Sequence, residues 1–218
     1  LPTDGQVSPS DLTMSLAKGA RMAGVKIFED CPVSAILLEG DRACGVRTPL
    51  GEIRCEAVVN CAGMWARQVA ALAGVTVPIQ PMQHQYIITE PFPEVPKNLP
   101  TLRDPDLLCY YKEEVGGLSM GGYEPNPIPW SEASVPEDFF FQLLEPDHDH
   151  FEQIMRPAIA RVPALARVGV RKFINGPESF TPDGSFILGE APEVRGFFVG
   201  AGFNAYGIAA GGGAGRAL

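Results

Sequence analysis

The 218 residues contain no apolar run long enough to cross a membrane, so no membrane span is expected. A basic cluster is missing as well. The 17 Lys and Arg face 26 Asp and Glu, a net charge of −9, which argues against nucleic acid and anionic lipid surfaces as partners. Five cysteines, Cys31, Cys44, Cys55, Cys61 and Cys109, form an odd set with no C-x-x-C spacing. That speaks against a zinc site or a disulfide framework and for a reducing intracellular compartment. Neither a signal peptide nor an Arg-rich presequence opens the chain. Without an initiator Met, Leu1 reads as an internal cut. Internal repeats and low-complexity stretches are absent too.

Hydrophobic residues make up 45% of the sequence, enough for a globular core in one domain or two small ones. Ser8-Pro9-Ser10-Asp11 reads as a helix start, with Ser8 as N-cap and Leu12, Leu16, Ala20 and Ala23 at helical spacing up to Gly24. Short strands are expected at Val25–Phe28, Cys31–Leu38, Ala43–Thr48 and Ile53–Cys55, and a buried one at Ala57–Cys61. Trp65–Ala73 reads as a helix ending at Gly74.

From Pro78 to Pro129, prolines punctuate strand candidates at Gln85–Thr89, Leu107–Tyr111 and Leu118–Gly122, the pattern of an antiparallel sheet with long loops. Phe151, Ile154, Met155, Ala158, Ile159 and Val162 form a helical stripe that Pro157 interrupts, so a kinked helix is expected. Strand-and-turn character returns after Gly176. The expected organisation is a split α/β domain, 1–77 with 176–218, and an inserted α+β domain at 78–175.

The richest motif is the last one. Phe197-Phe-Val199 reads as a buried strand that empties into Gly200-Ala-Gly202, and a small-residue helix follows. Strand, glycine turn and helix together expose backbone N–H groups to an electron-rich ligand. Gly200 to Ala205 even fits G-x-G-x-x-A. A dinucleotide fingerprint, however, opens a βαβ unit with an acid about 20 residues later, and neither follows here. A glycine-rich helix packed closely on a sheet explains the same residues.

Other candidates read two ways from the residues alone. His84, at the head of an alternating strand, is either a hydrogen-bonded structural histidine or an acid–base group. Tyr110-Tyr111 places one aromatic on each face of a strand. Asn60-Cys-Ala-Gly-Met-Trp65 ends a strand where the carboxyl-end rule puts ligands, with Trp65 as core anchor the alternative. His148 and His150 stand at i, i+2 on a helix start and do not share a face for a metal. Arg103 and Arg171 are candidate carboxylate clamps or solvated surface charges. Thr181-Pro-Asp-Gly184 reads as a turn.

Five stretches occur in order: Asp4–Leu12, Val58–Ala66, His84-Gln-Tyr86, Gly176–Gly184 and the terminal glycine run. Together they resemble the flavin-dependent amine oxidoreductases of the D-amino-acid-oxidase-like superfamily, sarcosine and dimethylglycine dehydrogenase branch. Gly121–Trp130 and Gly189–Phe197 resemble the sarcosine dehydrogenase side of it.

This resemblance implies a partial FAD-binding Rossmann-like domain with an inserted antiparallel-sheet substrate domain. The first βαβ portion, with its G-x-G-x-x-G and flavin-linking histidine, would lie outside this stretch, as would the folate-binding domains. The implied reaction is oxidative N-demethylation of an N-methylated glycine, sarcosine or dimethylglycine, by hydride transfer to flavin. His84 and Tyr110 would stand at the substrate amine. Val33 would contact the adenine, and Ala62, Gly63, Trp65, Gly200, Gly202, Gly207 and Ile208 would line the flavin, with the Thr181 turn nearby. Implied partners of the full-length protein are tetrahydrofolate and an electron-transfer flavoprotein, in the cytoplasm of a bacterium or the mitochondrial matrix of a eukaryote. A non-catalytic alternative exists in the same family, resembling the regulatory subunit of pyruvate dehydrogenase phosphatase. Retention of His84-Gln-Tyr with Tyr110-Tyr111 favours the enzyme.

Overall fold

A computed structural model describes residues 5–218; Asp4 of the first resembling motif lies outside them. Helix α1 (Pro9–Met22) is followed by strands β1 (Ala35–Glu39), β2 (Arg42–Thr48), β3 (Gly51–Arg54) and β4 (Val58–Asn60). A 3-10 turn at Gly63–Trp65 leads into α2 (Ala66–Ala71). Strands β5 (Gln80–Thr89), β6 (Leu102–Asp104), β7 (Cys109–Glu114) and β8 (Gly117–Gly122) come next, then α3 (His148–Arg161) and β9 (Val170–Phe180). The chain closes with β10 (Ile187–Glu190), β11 (Phe197–Ala201) and α4 (Gly207–Ala217).

Two compact units divide these elements. One holds Pro9–Pro81, Trp130–Phe139 and Glu178–Leu218; the other is built mainly from Met82–Pro129 and Phe140–Pro177. The expected insertion, 78–175, shifts slightly at its ends, with 78–81 in the first unit and 176–177 in the second, and Trp130–Phe139 packs with the first unit. The cause is a two-way amide pairing. Gln68 Nε2 donates to Val135 O at 2.8 Å, and Val135 N donates to Gln68 Oε1 at 3.0 Å. Arg67 adds bonds to Glu132 O and Ala133 O, and Val135 is buried.

The first unit is mixed α/β. Strands β4 and β11 run parallel, with Phe197 opposite Val58 and Val199 opposite Asn60, and β10 adds antiparallel to β11. Phe197, Val199, Ala66, Ala70, Val75, Val77 and Ile79 form its core. A separate meander, β1-β2-β3, carries a bulge at Leu37/Leu38.

Several expectations are corrected here. Val25–Phe28 forms no strand, and Val25, Ile27 and Phe28 are exposed; a strand needs a ladder partner, and among the described residues none pairs with it. The Cys31–Leu38 strand begins only at Ala35, where β2 meets it. Strand β4 is not buried on both faces, since Val59 is 48% exposed. Helix α1 starts at Pro9 as expected, yet buries none of its residues.

The second unit is an antiparallel sheet in the order β6-β7-β8-β5-β9. Alternation sends Ile87, Cys109, Tyr111, Leu118 and Met120 to one face, where α3 covers them with Phe151, Ile154 and Ala158. Asp147 caps α3 by accepting from His150 N at 2.8 Å. The helix then runs through Pro157 to Arg161. Proline removes one hydrogen bond there, while the apolar stripe holds the turns before and after it on the sheet. Strand β9 also runs through Asn175-Gly176-Pro177; it lies last in the sheet order, where proline is tolerated.

Candidate functional site

Strand register in the second unit brings one group of candidates together. Arg103 lies opposite Tyr110, Tyr110 opposite Gly121, and Gly121 opposite Tyr86. This row of four crosses β6, β7, β8 and β5 on the sheet face away from α3. Two residues before Tyr86, His84 emerges on the same face. Its ring lies 5.6 Å from that of Tyr123, which stands 6.4 Å from Tyr110 and has the Arg103 guanidinium 5.0 Å over it. Gly121 is the gap in the row. A Cβ there would run into the Tyr110 hydroxyl and come within 2.8 Å of Tyr86 Cβ.

Glu124 closes the cluster. Its Oε2 lies 3.2 Å from His84 Nδ1, and its Oε1 accepts from Gln85 N at 3.3 Å. Both side chains are nearly sealed from solvent, 11% exposed for His84 and 4% for Glu124. The result is a histidine, three tyrosines, an arginine and a buried carboxylate on one sheet face. Such a face can hold a carboxylate at Arg103 and pass a proton at His84.

The other tyrosine of the pair does different work. Tyr111 points into the α3 core, where its hydroxyl donates to Ala158 O at 3.0 Å. Burial, reinforced by the Cys109 thiol, pushes its phenol far above the ordinary range. Burial also raises the Tyr86 phenol, with Lys112 opposing the shift.

A second group of candidates belongs to the first unit. Because β4 and β11 are parallel and in register, the turns after Asn60 and Ala201 leave from the same edge of the sheet. Each turn is stapled by a buried asparagine. Asn60 donates to Ala66 O at 2.8 Å and accepts from Ala62 N. Asn204, in a left-handed conformation, donates to Gly202 O at 2.8 Å and accepts from Thr181 N at 2.9 Å, tying in the Thr181–Gly184 turn. Gly63 (φ +56°) has open space where a Cβ would stand.

Helix α4 starts at Gly207 without a side-chain cap, and Gly207 and Ile208 are exposed. Its first N–H groups and the positive end of its dipole suit an electron-rich ring edge. These turns therefore fit the flavin implied by the sequence. Gly200 and Gly202 have a different duty. Their missing Cβ positions are taken by Leu218 and Thr181, so both let protein pack closely on β11. Trp65 donates from Nε1 to Pro136 O at 3.4 Å, and Val33 lies exposed between α1 and β1.

The remaining candidates stand apart. His148 meets Phe173 edge-on, and His150 contacts Gln153. Among the described residues no three His, Cys, Asp or Glu are grouped to hold a metal. Arg171 is exposed on β9. Missed from the sequence were Tyr86, Gly121, Tyr123, Glu124 and Asn204. The strand-exit run Gly121-Gly-Tyr-Glu124 carried a signal, a carboxylate directly after a buried strand.

The family model of DAO, FAD dependent oxidoreductase, matches residues 1–218. Human mitochondrial sarcosine dehydrogenase is 44% identical over the whole chain, which spans 24% of that protein. The mouse pyruvate dehydrogenase phosphatase regulatory subunit is 37% identical, again over the whole chain and 25% of its own length. The chain thus spans about a quarter of the curated relatives it matches. Among solved structures, glycine oxidase from Geobacillus kaustophilus superposes with a TM-score of 0.76 at 27% identity, covering the whole chain and 54% of the oxidase.

Proposed function

We propose, from the premise that this chain belongs to the DAO family of FAD dependent oxidoreductases, that it supplies the substrate sheet and part of the flavin site of an enzyme that oxidatively demethylates an N-methylated amino acid. The observation that carries the reading is the row Arg103, Tyr110, Gly121 and Tyr86 with His84 beside it. An N-methylglycine has one carboxylate and one amine, and this face offers a cation for the first and a proton acceptor for the second.

In this reading Arg103 takes the substrate carboxylate. The Tyr110 hydroxyl, held over Gly121, orients the amine. His84 receives the ammonium proton, because the nitrogen lone pair must be free before its methyl carbon can lose a hydride. Bound FAD supplies the two-electron acceptor for that hydride. Ala62, Gly63, Gly207 and Ile208 would hold the flavin, and the N–H groups at the α4 start would stabilise negative charge on its pyrimidine edge. Trp65, Gly200 and Gly202 support these turns, and Val33 would meet the adenine. Tetrahydrofolate and an electron-transfer flavoprotein belong to the same proposal as partners of the full-length protein.

The non-catalytic alternative shares the family, as the 37% identity to the phosphatase regulatory subunit indicates. His84, Tyr110 and Arg103 on one face favour catalysis. The test is anaerobic addition of sarcosine or dimethylglycine to the full-length flavoprotein. Loss of the flavin band near about 450 nm is expected. A flavin that no N-methyl amine bleaches would overturn the enzyme reading.

A further inference from the structure

We infer that Glu124 is a positioning residue for His84, fixing which imidazole nitrogen meets the substrate amine. This inference rests on the proposed amine oxidation. An ionised carboxylate only accepts hydrogen bonds, so at 3.2 Å the Nδ1 of His84 is the donor to Glu124 Oε2. In the neutral ring that leaves Nε2 as the basic nitrogen. Glu124 is itself held. Its other oxygen accepts from Gln85 N, one residue along β5 from His84, so the carboxylate and the ring are referenced to the same strand. With the side chain 4% exposed, water does not compete for the pair.

The proton step balances simply. The ammonium N–H bond breaks, a new N–H bond forms at His84 Nε2, and the amine keeps its lone pair. The imidazolium then holds two protons, one of them bonded to Glu124, and the anion offsets the new charge in a site shut off from solvent. Among the described residues, the other titratable or charged groups that alternation puts on this face are Tyr86, Tyr110, Lys112, Glu114, Arg103 and Tyr123, and β9, which neighbours β5, carries Arg171, Lys172 and Glu178. Lys112 and Glu114 pair with each other at 3.0 Å, and Arg103 stacks over Tyr123. Glu124 Oε2 lies 3.2 Å from His84 Nδ1.

The experiment uses the full-length flavoprotein with Glu124→Gln, His84→Gln and the double variant. With flavin content and melting temperature retained, E124Q should lower kcat/KM about 10- to 100-fold, the size of loss typical when the hydrogen-bond partner of a metal-bound histidine is removed. Its effect should fall on kcat more than on KM. Without the anion the imidazolium is less favoured, so the acid limb that H84Q abolishes should move to lower pH in E124Q. Adding E124Q to H84Q should change kcat/KM less than about twofold, since the two residues act as one. Losses that multiply, or an E124Q limb that stays in place, overturn the inference.

A second arm needs no turnover. In histidine-labelled protein, 15N NMR should show His84 protonated at Nδ1 when neutral, with H84Q assigning the signal. Protonation at Nε2 instead overturns the inference even if sarcosine is oxidised. A correct tautomer in a protein that oxidises no N-methyl amine overturns the functional reading alone.

Discussion

Tyr110 lies across Gly121, its direct partner on the neighbouring strand, and its hydroxyl takes the space a side chain there would need. The tyrosine's position thus depends on an absence. Gly121→Ala leaves the backbone unstrained, since this glycine is not among those with positive φ, but it pushes the Tyr110 ring off the row. In the full-length flavoprotein kcat/KM for sarcosine should fall about tenfold or more, as a displacement near 1 Å typically costs. Stability should drop by about 1–3 kcal/mol, because the new methyl also presses on Tyr86 Cβ. Steady-state kinetics and thermal melting check the two effects separately.

Asn204 and Gly202 make a second dependent pair. The Asn204 amide bonds Gly202 O, and its carbonyl takes Thr181 N in a buried turn. Asn204→Ala leaves those groups unpaired, at a cost of about 1–3 kcal/mol. Gly202→Ala should be worse, because φ is +68° and the added Cβ would stand 2.5 Å from Thr181 Cγ2. Both should lower the denaturation midpoint and loosen retained flavin. Gly213→Ala, by contrast, meets nothing within 4 Å inside α4 and should raise stability by up to about 1 kcal/mol.

Much of this was legible in the residues because its physics is local. The α1 start, the strand candidates at 107–111 and 118–122, the α3 stripe and the last strand–glycine–helix motif follow from capping, alternation and periodicity. What stayed hidden is set by pairing across long separations. The residues alone leave Tyr110 and Tyr111 as one aromatic on each face; the resemblance points to Tyr110, and the burial of Tyr111 depends on α3 covering its side of β7. Val25–Phe28 has strand chemistry, but no strand of the described residues runs beside it. Glu124 gains its meaning from a histidine 40 residues earlier, and no spacing rule along one strand announces that.

Gln68 decides where Trp130–Phe139 goes. Its amide makes both hydrogen bonds to Val135, the backbone equivalent of a one-residue strand pairing. Gln68→Ala removes both and leaves a buried N–H without its acceptor, about 1–3 kcal/mol. The expected result is local release of the segment. Limited proteolysis should nick the variant within 130–139 at protease levels that leave the parent intact, while the sheet strands stay protected. Equal protection in both proteins would show that the remaining bonds from Arg67, Trp65 and Gln80 suffice.

The Tyr111 phenol ties stability to alkaline pH. Its folded-state pKa is raised, chiefly by burial and then by the Cys109 thiol. Unfolded, it returns to about 10. Between these values the folded state keeps a proton that the unfolded state has lost, so stability falls as pH rises. The contribution is complete below the unfolded pKa, and the loss begins above about pH 10. Tyr86 is raised in the same sense and adds to the slope. Tyr111→Phe removes the bond to Ala158 O, costing about 1 kcal/mol at neutral pH. The variant should then lose less stability than the parent between about pH 9 and 11, so the two denaturation midpoints converge as pH rises. Parallel curves across that range would mean that Tyr111 ionises as readily folded as unfolded, and would overturn the prediction.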